Sequence, residues 1–304
     1  MELSIVATVY NDAEIVPILV DRIIQSVAPL NVAYEIILIN DCSPDGSEFA
    51  IAEQSKKNTF VKGISLSRNC GQQIAMSAGI HQAKGNYVLI MDGDLQNPPE
   101  DIPRLYEKIK EGYDLVYAVS TVRNGWTEEL SSKFFWYFVS RILKVKVIPN
   151  QLMMKMMTQK FVQQFNTYSE TNRTISGIVA DIGSKCVTVP VENHRRTIGK
   201  TNYNFFKRFN LMIDIIISFS NAPLNFIIYL GMLIFVATTI GAAREFYVSF
   251  VYGGPEGYLS LRLTQFFFGS INILSLGLIG RYLSSIYAEV KRRPLYIIDK
   301  TYNI

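Results

Sequence analysis

Apolar and polar positions over the first two hundred residues alternate between two periods. Leu3 to Val9, Tyr34 to Ile39, Val61 to Leu66, Tyr87 to Met91 and Tyr113 to Val119 are short, largely apolar runs, each ending at polar or turn-forming residues. Such runs predict strands buried on both faces of a sheet. Between them lie stretches of helical period: Ala13 to Val27, Gly71 to about Lys84, and a third beginning near Glu100 after Pro98-Pro99. Strands alternating with helices imply crossover units, and hence an α/β domain with a mostly parallel sheet flanked by helices.

The pattern changes in the last hundred residues. Ala222 to Ala243 is 22 residues without a charge, which at about 1.5 Å per residue spans roughly 33 Å and is enough for the hydrocarbon layer of a bilayer. Leu263 to Leu283 is a second such stretch, with Arg281 near its end. A buried helical hairpin is the alternative for both. Before them, Phe205, Phe206, Phe209, Met212, Ile213 and Ile216 recur at helical spacing beside Lys207, Arg208 and Asp214, the pattern of an interfacial amphipathic helix. The expected organisation is therefore a soluble domain over 1–203, an interfacial helix over 204–221, two transmembrane helices over 222–283 and an amphipathic tail over 284–304.

Composition and charge sharpen this. The net charge is +4, and Lys207, Arg208, Lys291, Arg292 and Arg293 flank the apolar stretches. That placement favours an anionic membrane surface over nucleic acid, for which no motif is present. The positive-inside bias puts the first domain and the C-terminus in the cytoplasm, as in a multi-pass protein of a bacterial inner membrane. Three cysteines, Cys42, Cys70 and Cys186, without a CxxC pair, fit reduced thiols. Met1-Glu-Leu-Ser-Ile-Val has no basic n-region, so no signal peptide is expected. Gly269, Ser270, Ser275, Gly277 and Gly280 offer close helix contacts and Asn272 a polar one, which points to a homo-oligomer.

The candidate chemistry gathers at the strand ends: Asn11 and Asp12, Asn40 and Asp41, Arg68 and Asn69, Asp92 and Asp94. In open α/β sheets the ligand crevice lies at the carboxyl ends of the strands. Asp92 and Asp94, with Gly93 keeping the backbone thin between them and Gln96 adding a neutral oxygen, suit a divalent cation on a diphosphate. An EF-hand is excluded by Asn97 where its loop needs Gly; an ordinary Asp-Gly turn is the plainer alternative. Asp41 is placed to accept from a base N–H, and Arg68 to face phosphate or an acidic partner. Arg195, Arg196 and Lys200 around Gly199 form a cationic segment suited to phosphate, or a solvated basic turn.

Thr8-Val-Tyr-Asn11, Asn40-Asp-Cys-Ser-Pro-Asp-Gly46, Arg68-Asn69-x-Gly71, Met91-Asp-Gly-Asp-Leu-Gln-Asn-Pro-Pro-Glu100, Arg196-x-x-Gly199-Lys-Thr-x-Tyr203 and Lys291-x-x-Pro-Leu-Tyr296 resemble the family 2 inverting glycosyltransferases. Within that family they look like the dolichol-phosphate mannosyltransferase-like, polyprenyl-phosphate branch. The resemblance covers nearly the whole chain and implies a GT-A fold. It implies Asp92, Asp94 and Gln96 around Mg2+ or Mn2+, and Asp41 on the base. Thr8, Tyr10, Asn11, Asp12, Arg68, Gly71, Asp92, Arg196 and Lys200 join Asp41 around a nucleotide-diphosphate sugar. Asp94 and Arg123 are the expected catalytic pair, with Arg123 and Arg195 facing the phosphate of a polyprenyl phosphate acceptor. Two departures stand out. Ser120 replaces the first of two family arginines, and Met153-Met154-Lys155 stands where many relatives carry Asp-Phe-Arg, whose Asp is a proposed base. An alcohol acceptor needs that base; a phosphate monoester, with a second pKa near 6, is already ionised at neutral pH. The expected activity is inverting sugar transfer to a polyprenyl phosphate. A hydroxyl-directed membrane glycosyltransferase and a silent nucleotide-sugar-binding scaffold are the rivals.

Overall fold

The chain in its computed structural model is described over residues 1–121, 148, 151–170, 173–192 and 258–304, with isolated helical positions between 227 and 251. In order, the elements are β1 (Leu3–Val9), α1 (Ile15–Val27), β2 (Tyr34–Asn40), α2 (Ser47–Lys57), β3 (Val61–Leu66), α3 (Gln72–Gln82), β4 (Tyr87–Asp92), α4 (Ile102–Lys110) and β5 (Leu115–Ser120). They continue with β6 (Gln151–Thr158), α5 (Gln159–Thr167), α6 (Ile175–Ile182), β7 (Cys186–Val191), α7 (Tyr258–Val290) and β8 (Ile298–Tyr302).

The strands form one eight-stranded sheet in the order β7-β5-β6-β4-β1-β2-β3-β8. β1 pairs in parallel with both β2 and β4, β2 with β3, and β5 with β7. The apolar runs predict these strands because a sheet covered on both faces leaves no residue for water: Leu3, Ile5, Val6, Ala7, Ile36 to Ile39 and Val88 to Met91 are all buried. One face packs against α1, α2 and α4 through Leu19, Ile23, Ile51 and Leu105. The other packs against α3, α5 and α6 through Met76, Phe161, Phe165 and Ile178.

Three strands have no counterpart in the predicted pattern: β7, which pairs in parallel with β5, and β6 and β8, which run antiparallel to their neighbours. β6 lies between β4 and β5. β8 pairs with β3 and forms one edge of the sheet, and its Lys300 Nζ and Tyr302 Oη bond Glu48 Oε1 at 2.7 and 3.0 Å.

By internal contacts the chain falls into two units, Met1–Asn204 with Pro294–Ile304, and Phe205–Arg293. The second holds α7, 33 residues long, which exposes Leu261, Leu276, Leu283 and Val290. Among the described residues no helix is long and apolar enough to cross a membrane. The expected span from Leu263 to Leu283 lies within α7. The expected span from Ala222 to Ala243 lies outside the described residues apart from isolated positions, and the amphipathic stretch at 204–221 lies wholly outside them.

Candidate active site

The strand order turns back beside β1. The chain steps outward through β2 and β3, then returns to place β4 on the other side of β1. The crevice of a doubly wound sheet opens at such a switch point, beyond the carboxyl ends of the strands. Here Thr8 of β1 stands opposite Asp92 of β4, so register alone brings the first and fourth motifs together.

Below Asp92 the chain folds sharply onto β1. The Gly93 amide donates to the Thr8 carbonyl at 3.1 Å, and a Cβ on Gly93 would collide with that oxygen. Asp94 Oδ1 accepts the Gln96 amide at 3.1 Å, which closes a small turn whose central residue, Leu95, has φ of 60°. A bulky residue in that region is strained. Gln72, at the start of α3, donates to Asp92 Oδ1, and the buried Asn97 reaches Asp92 Oδ2 at 3.5 Å. Two carboxylates are thereby held at one lip of the sheet on a fixed backbone.

Asp41 is 3% exposed. Its Oδ1 accepts the Cys70 amide at 2.7 Å and its Oδ2 the Gly71 amide at 2.9 Å, while Asn69 Nδ2 donates to its carbonyl at 3.2 Å. Burial raises its pKa against the pull of those two amides. Both carboxylate oxygens thus clamp the loop that opens α3, where Gly71 takes φ of 88°. The expected role toward a base has to share the carboxylate with this clamp. Arg68 lies exposed on the same loop.

A third set of bonds joins the loops after β1 and β2. The amide of Asn11 donates to Ser43 Oγ at 2.8 Å, that of Asp12 to Ser47 Oγ at 3.3 Å and that of Ala13 to Asp45 Oδ2 at 3.1 Å. Burial acts to raise the Asp45 pKa, but bonds from Ser43, Ser47 and the Ala13 amide bring it down to about 2. Asn11 and Cys42 both have positive φ, so left-handed non-glycine residues gather at this edge. Tyr10 stands out from it at 45% exposure.

The structure therefore brings Thr8, Tyr10, Asn11, Asp12, Asp41, Arg68, Gly71, Asp92, Asp94 and Gln96 to one edge of the sheet. Arg123, Arg195, Arg196 and Lys200 lie outside the described residues.

A match to the Glycosyl transferase family 2 profile extends over residues 4–167, more than half the chain and all four strand-end motifs. The chain belongs to glycosyl transferase family 2. A prophage-derived bactoprenol glucosyl transferase of Shigella flexneri is 32% identical, over 99% of this chain and 99% of its own. An undecaprenyl-phosphate 4-deoxy-4-formamido-L-arabinose transferase of Proteus mirabilis is 30% identical, over 100% of this chain and 94% of its own. Among solved structures, a mannosyltransferase of Pyrobaculum calidifontis, crystallised with GDP-mannose and Mn2+, superposes with a TM-score of 0.51 at 15% identity. It covers 96% of this chain and 86% of its own and shares the fold. The GT-A-like sheet flanked by helices is thus the fold of a family 2 glycosyltransferase.

The donor set of this family 2 domain fits a hard divalent cation. Among the described residues no three His, Cys, Asp or Glu side chains converge on a metal position. Two carboxylates, a diphosphate and water are the ligands Mg2+ takes when a nucleotide brings it in.

Sequence reasoning overlooked Gln72, Asn97, Ser43 and Asp45, which support the site. It also gave no role to Lys155, noted only with Met153 and Met154 where many relatives carry Asp-Phe-Arg. Lys155 is 1% exposed in the middle of β6. Its Nζ donates to the Leu152 carbonyl at 3.0 Å and lies 5.8 Å from the centre of the Tyr117 ring. Burial pulls its pKa down to about 8, with Asp92 acting to raise it. A lone cation in an otherwise apolar run was the available signal.

Proposed function

We propose that the chain is a membrane-anchored inverting glycosyltransferase that moves a sugar from a nucleotide-diphosphate donor to a polyprenyl phosphate. The observation that carries this is the pair Asp92 and Asp94 at the switch point of the sheet. It is supported by relatives along the full length whose names specify bactoprenol and undecaprenyl phosphate.

In this reading Asp92, Asp94 and Gln96 hold Mg2+ or Mn2+, which when bound neutralises charge on the leaving diphosphate. The loops around Asn11, Asp12, Asp41 and Arg68 seat the nucleotide, and Arg196 and Lys200 reach its phosphates. Arg123 and Arg195 orient the acceptor phosphate. The acceptor oxygen arrives ionised, so positioning replaces deprotonation. Ala222 to Ala243 and Leu263 to Leu283 anchor the domain to the inner membrane with its site in the cytoplasm. The apolar side chains exposed along α7 support a lipid environment, and its glycines support contact with a second copy.

Protein purified in detergent, given polyprenyl phosphate, Mn2+ and radiolabelled nucleotide sugars, is expected to form a chloroform-soluble product. Asp94→Ala is expected to lower the rate at least a hundredfold. No lipid-linked product from any common donor, or unchanged turnover in Asp94→Ala, overturns the proposal.

A further inference from the structure

We propose that Lys155 is a specificity-determining positioning residue: its buried ammonium, presented by β6 beside Asp92, suits the site to an anionic acceptor, a phosphate monoester, rather than an alcohol. This rests on the transferase reading above and assigns its acceptor class to the side chain that stands at the arginine position of the Asp-Phe-Arg triplet many relatives carry.

The placement follows from register. Lys155 stands opposite Ile90 of β4 and Tyr117 of β5. Directly paired residues share a face of the sheet, and so do residues two apart on a strand, so Lys155 and Asp92 share a face. β6 runs away from the carboxyl edge, which puts Leu152 nearer that edge than Lys155. The bond from Nζ to the Leu152 carbonyl, 3.0 Å, therefore lays the side chain toward the edge that holds Asp92. One carbonyl takes one of three N–H donors, and the Tyr117 ring offers a weak π contact at 5.8 Å. The Asp92 carboxylate also faces this buried cation; the ammonium offsets part of that charge and adds a positive field along β4.

That field has the right sign for one class of acceptor. In the transfer, a phosphate oxygen of the acceptor forms a bond to the anomeric carbon. The bond from that carbon to the diphosphate breaks, its electron pair leaves with the nucleoside diphosphate, and no proton moves. Two anions must approach each other, and a fixed cation offsets their repulsion. An alcohol would instead need a carboxylate to take its proton, and β6 offers Met153 and Lys155 at this point.

The test uses the full chain in detergent with radiolabelled donor and two acceptors of equal chain length, polyprenyl phosphate and polyprenol. Lys155→Met is expected to lower kcat/KM for polyprenyl phosphate about thirtyfold, or about 2 kcal/mol at 1.4 kcal/mol per decade, mostly through KM for the lipid. Nucleoside diphosphate binding with Mn2+ should stay within about threefold. Lys155→Arg should restore most of the transfer, and the Met variant should melt close to the parent, because relief of the burial cost of the ammonium offsets the lost bond to the Leu152 carbonyl. A Met variant that transfers within about threefold of the parent overturns the assignment. So does one that loses nucleotide binding in step with transfer, or one that melts lower and is not rescued by Arg. A parent protein that labels neither lipid overturns the transferase reading itself.

Discussion

Asp41→Asn separates two roles that the sequence and the structure give the same carboxylate. The substitution keeps the shape but turns one acceptor oxygen into an NH2 group facing a backbone N–H, at either the 2.7 Å bond from Cys70 or the 2.9 Å bond from Gly71. A hydrogen bond to a charged group contributes about 1.5–3 kcal/mol, and a buried amide left without an acceptor costs about 1–3 kcal/mol. Against these losses stands the burial cost of the charge, which raises the Asp41 pKa and disappears in the neutral variant. The net expectation is a loss of about 2 kcal/mol, or roughly 4–8 °C in Tm for a domain of this size. Asp41→Ala strands both amides and should lose about 3–4 kcal/mol. Thermal unfolding followed by circular dichroism measures the stability, and titration with uridine, thymidine and guanosine diphosphates in Mn2+ measures the base preference. If Asp41→Asn unfolds within about 0.5 kcal/mol of the parent, in the range of ordinary surface substitutions, while its base preference changes, the clamp is not what the carboxylate does.

Gly93→Ala drives a Cβ into the Thr8 carbonyl, a backbone atom with no rotamer to yield. It should cost about 1–3 kcal/mol and weaken Mn2+-dependent nucleotide binding by at least tenfold; calorimetry showing parental affinity would contradict the tight Asp92-Gly93-Asp94 turn. Asp45, held near pKa 2 against an unfolded value near 3.9, contributes stability that is full above about pH 4 and lost as the pH falls toward 2. Because the group is exposed, solvent screening limits this to about 1 kcal/mol, and acid titration of Asp45→Asn should show a correspondingly flatter loss. Removing residues 294–304 takes away β8 and its bonds to Glu48 and bares the β3 edge, so light scattering should report aggregation on mild heating; a monodisperse, equally stable product would argue against a structural role for that strand.

Legibility followed the range of the interactions involved. The five runs predicted as strands are β1 to β5 within two residues at either end, because strands covered on both faces must be apolar throughout. The metal-side acids were legible because the sequence places them where an apolar run stops. β6 was not, since Gln151-Leu-Met-Met-Lys-Met-Met-Thr158 has no strict alternation and a single β-branched residue, at its end. Its strand state comes from pairing with β4 and β5. β8 is similarly set by its partner: Ile298-Asp-Lys-Thr-Tyr302 is largely polar and exposed, and only the β3 edge gives it a ladder.

By itself, then, the sequence determined the α/β class, the family and the acids at the strand ends, since these depend on local period and on motifs read along one chain. Only the tertiary structure decided that Thr8 faces Asp92, that Asp41 spends both oxygens on the Cys70 and Gly71 amides, and that Lys155 shares a face with Asp92. Each of those depends on register between strands distant in sequence, and register is settled when the two faces of the sheet are buried together.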